Sequence, residues 1–473
     1  MPALFRKLAT RLAGALSAAA LGLAPAFAQG LIRDTEIEAV MREYTDPMLV
    51  AANLDPNSVD VYLIGNMEFN AFVTQGQNIF LHTGLIVRAE NPGEIKGVMA
   101  HEIGHIEGAH LARMADASRG GMATMAASIG IGLIAALAGA GDAGAAIIAS
   151  APQFATLDML RYTRGQEAAA DQAAVRLLTA TGQSGRGLVS TFERLAYQER
   201  VSFQRRWEYF RSHPLSSDRV AALRRNVEAS PYADVPDTPE EIETLSRIQA
   251  KIIGFMVPPA QTFQRYPETD QSFPARYART VAYYKQGLTD RAEEAVDELL
   301  EMEPDNPFLH ELKGQMLYES GRIAPSVEPY RRAVEMMPHA ALLRIGLAGS
   351  LIATGDEAAA REAVTHLNIA LVAEPDNTFG WFQKSLAHQA LGETAMAELA
   401  TAEQAYHAGD EMRAHIFAQR AHEDLERGAE GWIRAAEIIA VTQPSDREVR
   451  EWNRVERERR PNFQAGFDTV TRF

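Results

Sequence analysis

Apolar residues in this 473-residue chain fall into three kinds of run, and each predicts a different element. The first is continuous: Leu12 to Leu23, preceded by Arg6, Lys7 and Arg11 and followed by the small-x-small triplet Ala26-Phe27-Ala28. Basic, then apolar, then small is the layout of a cleavable secretory signal, so residues 1–28 are set apart from the fold. The second is the uncharged stretch Gly121 to Gly141, with Ile129, Ile131, Leu133, Ile134 and Leu137. Its length alone would admit a membrane helix. The third kind is helical, in pairs of segments that fill the chain from about residue 268 to residue 442.

Those pairs repeat. Gly287, Gly321 and Gly355 are spaced by 34 residues, and Pro304 and Pro338 keep the same interval. That is the period of tetratricopeptide repeats, in which the glycine ends one helix and the proline closes the next. Ala292, Ala333 and Ala360 fall where paired helices must approach closely, and Glu303-Pro304-Asp305-Asn306 recurs as Glu374-Pro375-Asp376-Asn377. Because Pro375 follows Gly355 by twenty residues instead of seventeen, the second helix of the third unit should be longer. Gly392 opens a fourth, degenerate unit with Gly409 in the proline's place, and Asp410 to about Thr442 continues as amphipathic helix. Stacked pairs of this kind form a surface for protein partners. Tyr283, Tyr284, Tyr318, Trp381 and Phe382 are read mostly as core, and residues 443–473 as a charged tail.

The chemistry is concentrated in His101-Glu102-Ile103-Gly104-His105. Residues four apart on a helix are turned by about 400°, so the two histidines share a face and converge on one point, which suits a zinc ion. Glu102, about 100° around the helix, can reach a water on the open side of the metal and act as general base. Asn91 as N-cap, Pro92 at the first helical position and Glu94 at the capping-box position begin this helix, which should run to about Ala117. A second helical segment carries Glu167 and Asp171 one turn apart. Glu167 would be the third metal ligand, and Asp171 would accept the spare ring N–H of a ligating histidine. With His105 before the Gly121–Gly141 stretch and Glu167 after it, one membrane crossing would split the ligand set. Helices over the cleft, or a lid, are the better reading of 121–157, with peripheral membrane association the alternative.

Charge and cysteine content narrow the partners. Losing the three bases of residues 1–28 takes the formal net charge from −16 to −19, poorly suited to nucleic acid. The chain has no cysteine, which excludes disulfides and a lipidated cysteine.

Taken together, the His-Glu-x-x-His helix, the Glu167-x-x-x-Asp171 helix, the leader and the C-terminal repeats resemble the periplasmic BepA-type (YfgC-like) zinc metalloproteases of the HtpX/CAAX-protease superfamily. Two further segments match that family. Asn70-Ala71-Phe72 with Asn78-Ile79-Phe80-Leu81-His82-Thr83-Gly84-Leu85 is similar to its edge strand, against which an extended substrate pairs. His213-Pro214-Leu215-Ser216-Ser217-Asp218-Arg219 is similar to its HPxxxxR element. The resemblance implies substrate binding at Asn78, Ile79 and Phe80. It implies His213 as a fourth ligand or switch that holds the enzyme latent, and Arg219 as a residue that orients the site or stabilises the oxyanion. His110 is expected beside the ligands in a supporting role, and His82 in the cleft wall or at the surface.

The expected fold is mainly α. An α-rich metalloprotease domain with a small β-sheet spans 31–265, and a helical-repeat solenoid spans 268–442. The resemblance implies a zinc endopeptidase of the periplasm, one zinc per chain, in quality control or assembly of outer-membrane proteins. Its substrates would be unfolded or misassembled proteins, with the repeats recruiting them or the assembly machinery, and the mature chain would have no transmembrane span. The alternative is a chaperone or adaptor whose repeats do the main work while the protease is latent.

Overall fold

The computed structural model describes residues 30–74, 77–110, 162–201 and 213–445, with isolated positions at 112, 113, 125, 127, 128, 209, 447, 450 and 454. The expected leader, nearly all of the 121–157 segment and most of the charged tail lie outside the described residues. The chain divides into two compact units between Arg279 and Thr280, inside the helix Phe273–Lys285. The sequence reading places the boundary at 265–268. Among the described residues no helix is long and apolar enough to cross a membrane.

In the first unit, β1 (Leu31–Ile32), β2 (Val61–Ile64), β3 (Ala71–Thr74) and β4 (Asn78–His82) form one sheet in the order β1-β2-β4-β3. Helix α1 (Thr35–Ala51) lies between the first two strands in sequence, and α2 (Thr83–Arg88) follows β4 directly. Alternation along the strands turns Leu63, Ala71, Ile79 and Leu81 into the core. There they join Met41, Met48 and Leu49 of α1 and Ile95, Val98, Met99 and Ile103 of α3 (Pro92–Glu107). Tyr62, Phe80 and Phe72 are in register across the other face, with ring centroids 5.1 and 5.3 Å apart.

This sheet order corrects one expectation. Asn78, Ile79 and Phe80 are not in an edge strand. They lie in β4, which pairs in parallel with β2 on one side and antiparallel with β3 on the other. Its backbone groups are committed to those ladders and Ile79 is fully buried, so an extended substrate cannot add there. The edge on this side is β3. His82 is not at the surface: it is buried where β4 turns into α2.

After α3 come a helix over 162–180 (α4), then α5 (Arg186–Val201), α6 (Ser217–Glu228), α7 (Pro239–Met256) and α8 (Pro259–Arg265). Helix α9 (Phe273–Lys285) carries the division, and the second unit continues as helix pairs. These are α10 (Thr289–Met302), α11 (Pro307–Glu319), α12 (Ile323–Met336), α13 (Ala341–Ala353), α14 (Glu357–Ala373), α15 (Thr378–Ala390), α16 (Thr394–His407), α17 (Glu411–Asp424) and α18 (Glu430–Val441). Gly287, Gly321, Gly355, Gly392 and Gly409 all have φ between +74° and +80°, the left-handed conformation that ends a helix and that a side chain resists. Helix α14 has 17 residues against 14 in α10 and α12, the extension expected from the displaced proline. The 410–442 stretch is two helices, because Gly428 at φ +85° breaks it. Of the aromatics read as core, Tyr283, Tyr284, Tyr318 and Trp381 are half-buried, whereas Phe382 is 40% exposed and is not a core residue.

Tyr330 shows how tightly these pairs close. Its ring lies between Gly314 and Gly346, where an added Cβ would come within 2.6 Å of it on either side. Gly346→Val should therefore destabilise the chain by about 1–3 kcal/mol through overpacking, seen as a lower midpoint in denaturant unfolding. An unchanged midpoint would show that the ring has room to move.

Candidate metal centre

Helix α3 is buried from Pro92 to His105 yet carries five ionisable side chains, Glu94, Lys96, His101, Glu102 and His105. A buried charge needs a partner. Glu94 takes a two-pronged bond from Arg194 at 2.9 and 2.6 Å. Lys96 meets Asp237 at 3.3 Å and Glu241 at 2.5 Å. Asn91 caps the helix by accepting from Glu94 N–H at 3.1 Å. The Glu94 carboxylate accepts instead from the backbone of Glu90 at 3.0 Å, one residue before the cap, so the expected capping box is not closed. The helix ends at Glu107, short of the expected Ala117, because Gly108 caps it and Ala109 turns to φ +48°. Gly104 lets α4 pass close by, since a Cβ there would lie 2.9 Å from the Ala170 carbonyl oxygen.

That close approach sets Glu167 opposite the two histidines. His101 Nε2 is 3.1 Å from His105 Nε2, and these atoms lie 3.4 Å from Glu167 Oε2 and Oε1 respectively. His213 Nδ1 closes the group at 3.3 Å from His101 Nε2 and 3.1 Å from Glu167 Oε2. All four residues are buried, and one ligand atom from each lies within 4.8 Å of the others. A tetrahedral zinc with bonds of about 2.0–2.2 Å sets its ligand atoms roughly 3.3–3.6 Å apart, close to these spacings. The donor set, two imidazoles and a carboxylate with a third imidazole, therefore fits zinc.

The far sides of the ligands are tied down. His101 Nδ1 meets Asp171 Oδ1 at 3.0 Å and His105 Nδ1 meets His110 Nδ1 at 2.9 Å, which directs both Nε2 atoms to the centre. His110 itself is held from Gln166, whose amide donates to the His110 carbonyl at 3.0 Å. Arg219 donates to Asp171 from Nε at 2.6 Å and Nη2 at 2.8 Å, and from Nη1 to the Pro214 carbonyl at 3.1 Å. Its Nη1 is also 2.8 Å from Glu167. The guanidinium is thus committed to Asp171, Glu167 and the Pro214 carbonyl, an arrangement that suits orienting the site more than donating to an oxyanion.

Electrostatics follow from burial. Glu102 is completely buried and its carboxyl is raised above the usual range by desolvation. Both its oxygens lack a hydrogen-bond partner among the described residues, and His213 Nε2 is 3.5 Å from one of them. Burial lowers His105 to about 2. It would lower His101 as well, but hydrogen bonds to Asp171 and Glu167 carry that ring up to about 9. Burial would raise Glu167 and Asp171, yet their hydrogen bonds, from His101 and His213 and from Arg219 and His101 respectively, hold both below the normal carboxylate range.

Two aromatic residues belong to this neighbourhood that the sequence did not single out. Phe192 of α5 meets the His101 ring edge-on at 5.8 Å and lies 4.9 Å beneath the Arg219 guanidinium. Tyr209 stacks on His213 at 4.7 Å. The only sequence signal for Tyr209 is its place four residues before His213.

Residues 31–227 match Peptidase family M48. This part of the chain is an M48 peptidase domain. Beyond it, the chain is 24% identical over 369 residues to the beta-barrel assembly-enhancing protease of Escherichia coli K12, covering 76% of this chain and 74% of that protein. A counterpart in Vibrio cholerae is 28% identical over 282 residues, so the match spans 57% of this chain and 57% of that relative. The metalloprotease YcaL of Escherichia coli K12 is 29% identical over 184 residues, 37% of this chain and 64% of that protein.

Proposed function

We propose that this chain is a zinc-dependent endopeptidase of the periplasm that acts in the assembly or quality control of outer-membrane proteins. The observation that carries the reading is the set of donor atoms from His101, His105, Glu167 and His213 at tetrahedral spacing, with the Glu102 carboxylate, which has no hydrogen bond among the described residues, beside them. The relatives named for beta-barrel assembly support the biological setting. In this reading the protease occupies about 31–265 and the tetratricopeptide repeats about 268–442, and the repeats recruit substrates or the assembly machinery.

His101, His105 and Glu167 would hold the metal, and Asp171 fixes the His101 tautomer so that Nε2 faces it. Bound zinc supplies a water of lowered pKa and polarises the scissile carbonyl. Glu102 accepts the proton of the attacking water and returns it to the leaving amine, a role suited to a carboxylate whose pKa burial has raised.

In this reading His213 takes the place of that water, a latent arrangement. Moving the loop at Pro214 would open it, a gating step. His213→Ala should raise basal cleavage of an unfolded protein and self-cleavage while zinc stays bound through the other three ligands. A zinc-loaded but inactive His213→Ala protein would show instead that this histidine serves the transition state. Latency also leaves room for a chaperone role of the repeats, which survives if the base-deleted Glu102→Gln protein rescues loss of the gene product.

A further inference from the structure

His213 does not reach the metal centre alone. Its N–H donates to the Tyr209 carbonyl at 2.8 Å, and the two rings stack with an interplanar angle of 29°. Tyr209 is among the largest fully buried side chains of the chain. Its ring meets Phe69 edge-on at 5.8 Å and Phe192 at 6.4 Å. Phe192 borders His101 and Arg219, as described above. Phe69 directly precedes Asn70, whose carbonyl accepts from His82 N–H at 3.0 Å where β3 begins. The phenol ring therefore fills an aromatic-walled slot with the metal ligands on one side and the start of the edge strand on the other.

We propose that this slot is a specificity subsite for an aromatic or large aliphatic side chain of the protein substrate, and that Tyr209 occupies it as a stand-in in the latent state. The proposal rests on the endopeptidase reading above. For water to reach the centre His213 must withdraw, and the hydrogen bond and the ring stack between them make Tyr209 leave with it. The downstream anchor stays, because Ser216 caps α6 by accepting from Arg219 N–H at 3.2 Å and half-buried Leu215 packs against the core, so the bend falls at exposed Pro214. An emptied slot has the character of a tyrosine-to-alanine truncation in a core, one of the costliest packing losses. A substrate side chain of similar size restores that burial, and its binding displaces the inhibitory histidine. A substrate without such a side chain has no means of opening the centre.

The test uses the full chain loaded with zinc, in wild-type, His213→Ala and Tyr209→Ala forms. Two small hydroxamates, one bearing a benzyl and one a methyl side chain, are titrated by calorimetry, and cut sites in unfolded casein are mapped by mass spectrometry. The slot predicts that Tyr209→Ala binds the benzyl compound roughly tenfold or more tightly than the methyl one. It also predicts that cuts by the active forms are enriched for large apolar residues at one fixed position beside the bond. Tyr209→Leu, which keeps most of the packing, should give an intermediate ratio and replaces the alanine variant if that one loses its helical circular dichroism. Equal binding of the two hydroxamates by folded, zinc-loaded Tyr209 variants would overturn the slot and leave Tyr209 as a prop for His213. A preserved benzyl preference with no casein cleavage by any form would instead sink the endopeptidase reading while keeping the slot as a ligand site.

Discussion

Glu102→Gln should lower cleavage of an unfolded protein by about 10²–10⁴-fold, the usual contribution of a positioned general base. Zinc content and thermal stability should stay at the wild-type level. The amide has nearly the shape of the carboxylate but cannot accept the proton of an attacking water. Glu102 is fully buried with no hydrogen bond among the described residues, so the exchange breaks no hydrogen bond and removes a desolvated acid. The comparison is sharpest with His213→Ala in both proteins, since latency would otherwise hide the loss. Retained activity in the double variant would take Glu102 out of the reaction.

Glu167→Ala should have the other large effect, a loss of zinc affinity beyond the roughly 100-fold upper range of outer-shell changes, with proteolysis falling to background. A site left with two permanent ligands no longer defines a stable tetrahedron, and His213 is a poor substitute because it must leave during turnover. The fold should survive, since Arg219 keeps both of its bonds to Asp171. Asp171→Asn gives the contrast. It disturbs the His101 tautomer without removing a ligand and should cost about 10–100-fold. Competition with a chelating dye measures both, and equal effects would blur the distinction between ligand and support.

How much of this was legible in the sequence depended on range. Helical spacing is local, so the convergence of His101 and His105, the pairing of Glu167 with Asp171, and the left-handed glycines at 34-residue intervals could all be read from residue order. The early end of the catalytic helix could not, because it turns on the positive φ of Ala109, a residue type that gives no warning. Strand order was also out of reach. A one-strand difference in a four-stranded sheet moves Asn78–Phe80 from edge to interior without altering their pattern. The commitments of Arg219 depend on where α4 and the Pro214 loop meet in space; Phe192 carries no pattern beyond being apolar, and Tyr209 none beyond its place four residues before His213.

The most direct test of the account is anomalous X-ray scattering at the zinc absorption edge, from crystals of the full chain grown with zinc. The account predicts one peak per chain, about 2.0–2.2 Å from His101 Nε2, His105 Nε2 and a Glu167 oxygen. No peak, or a peak held without Glu167, would contradict it.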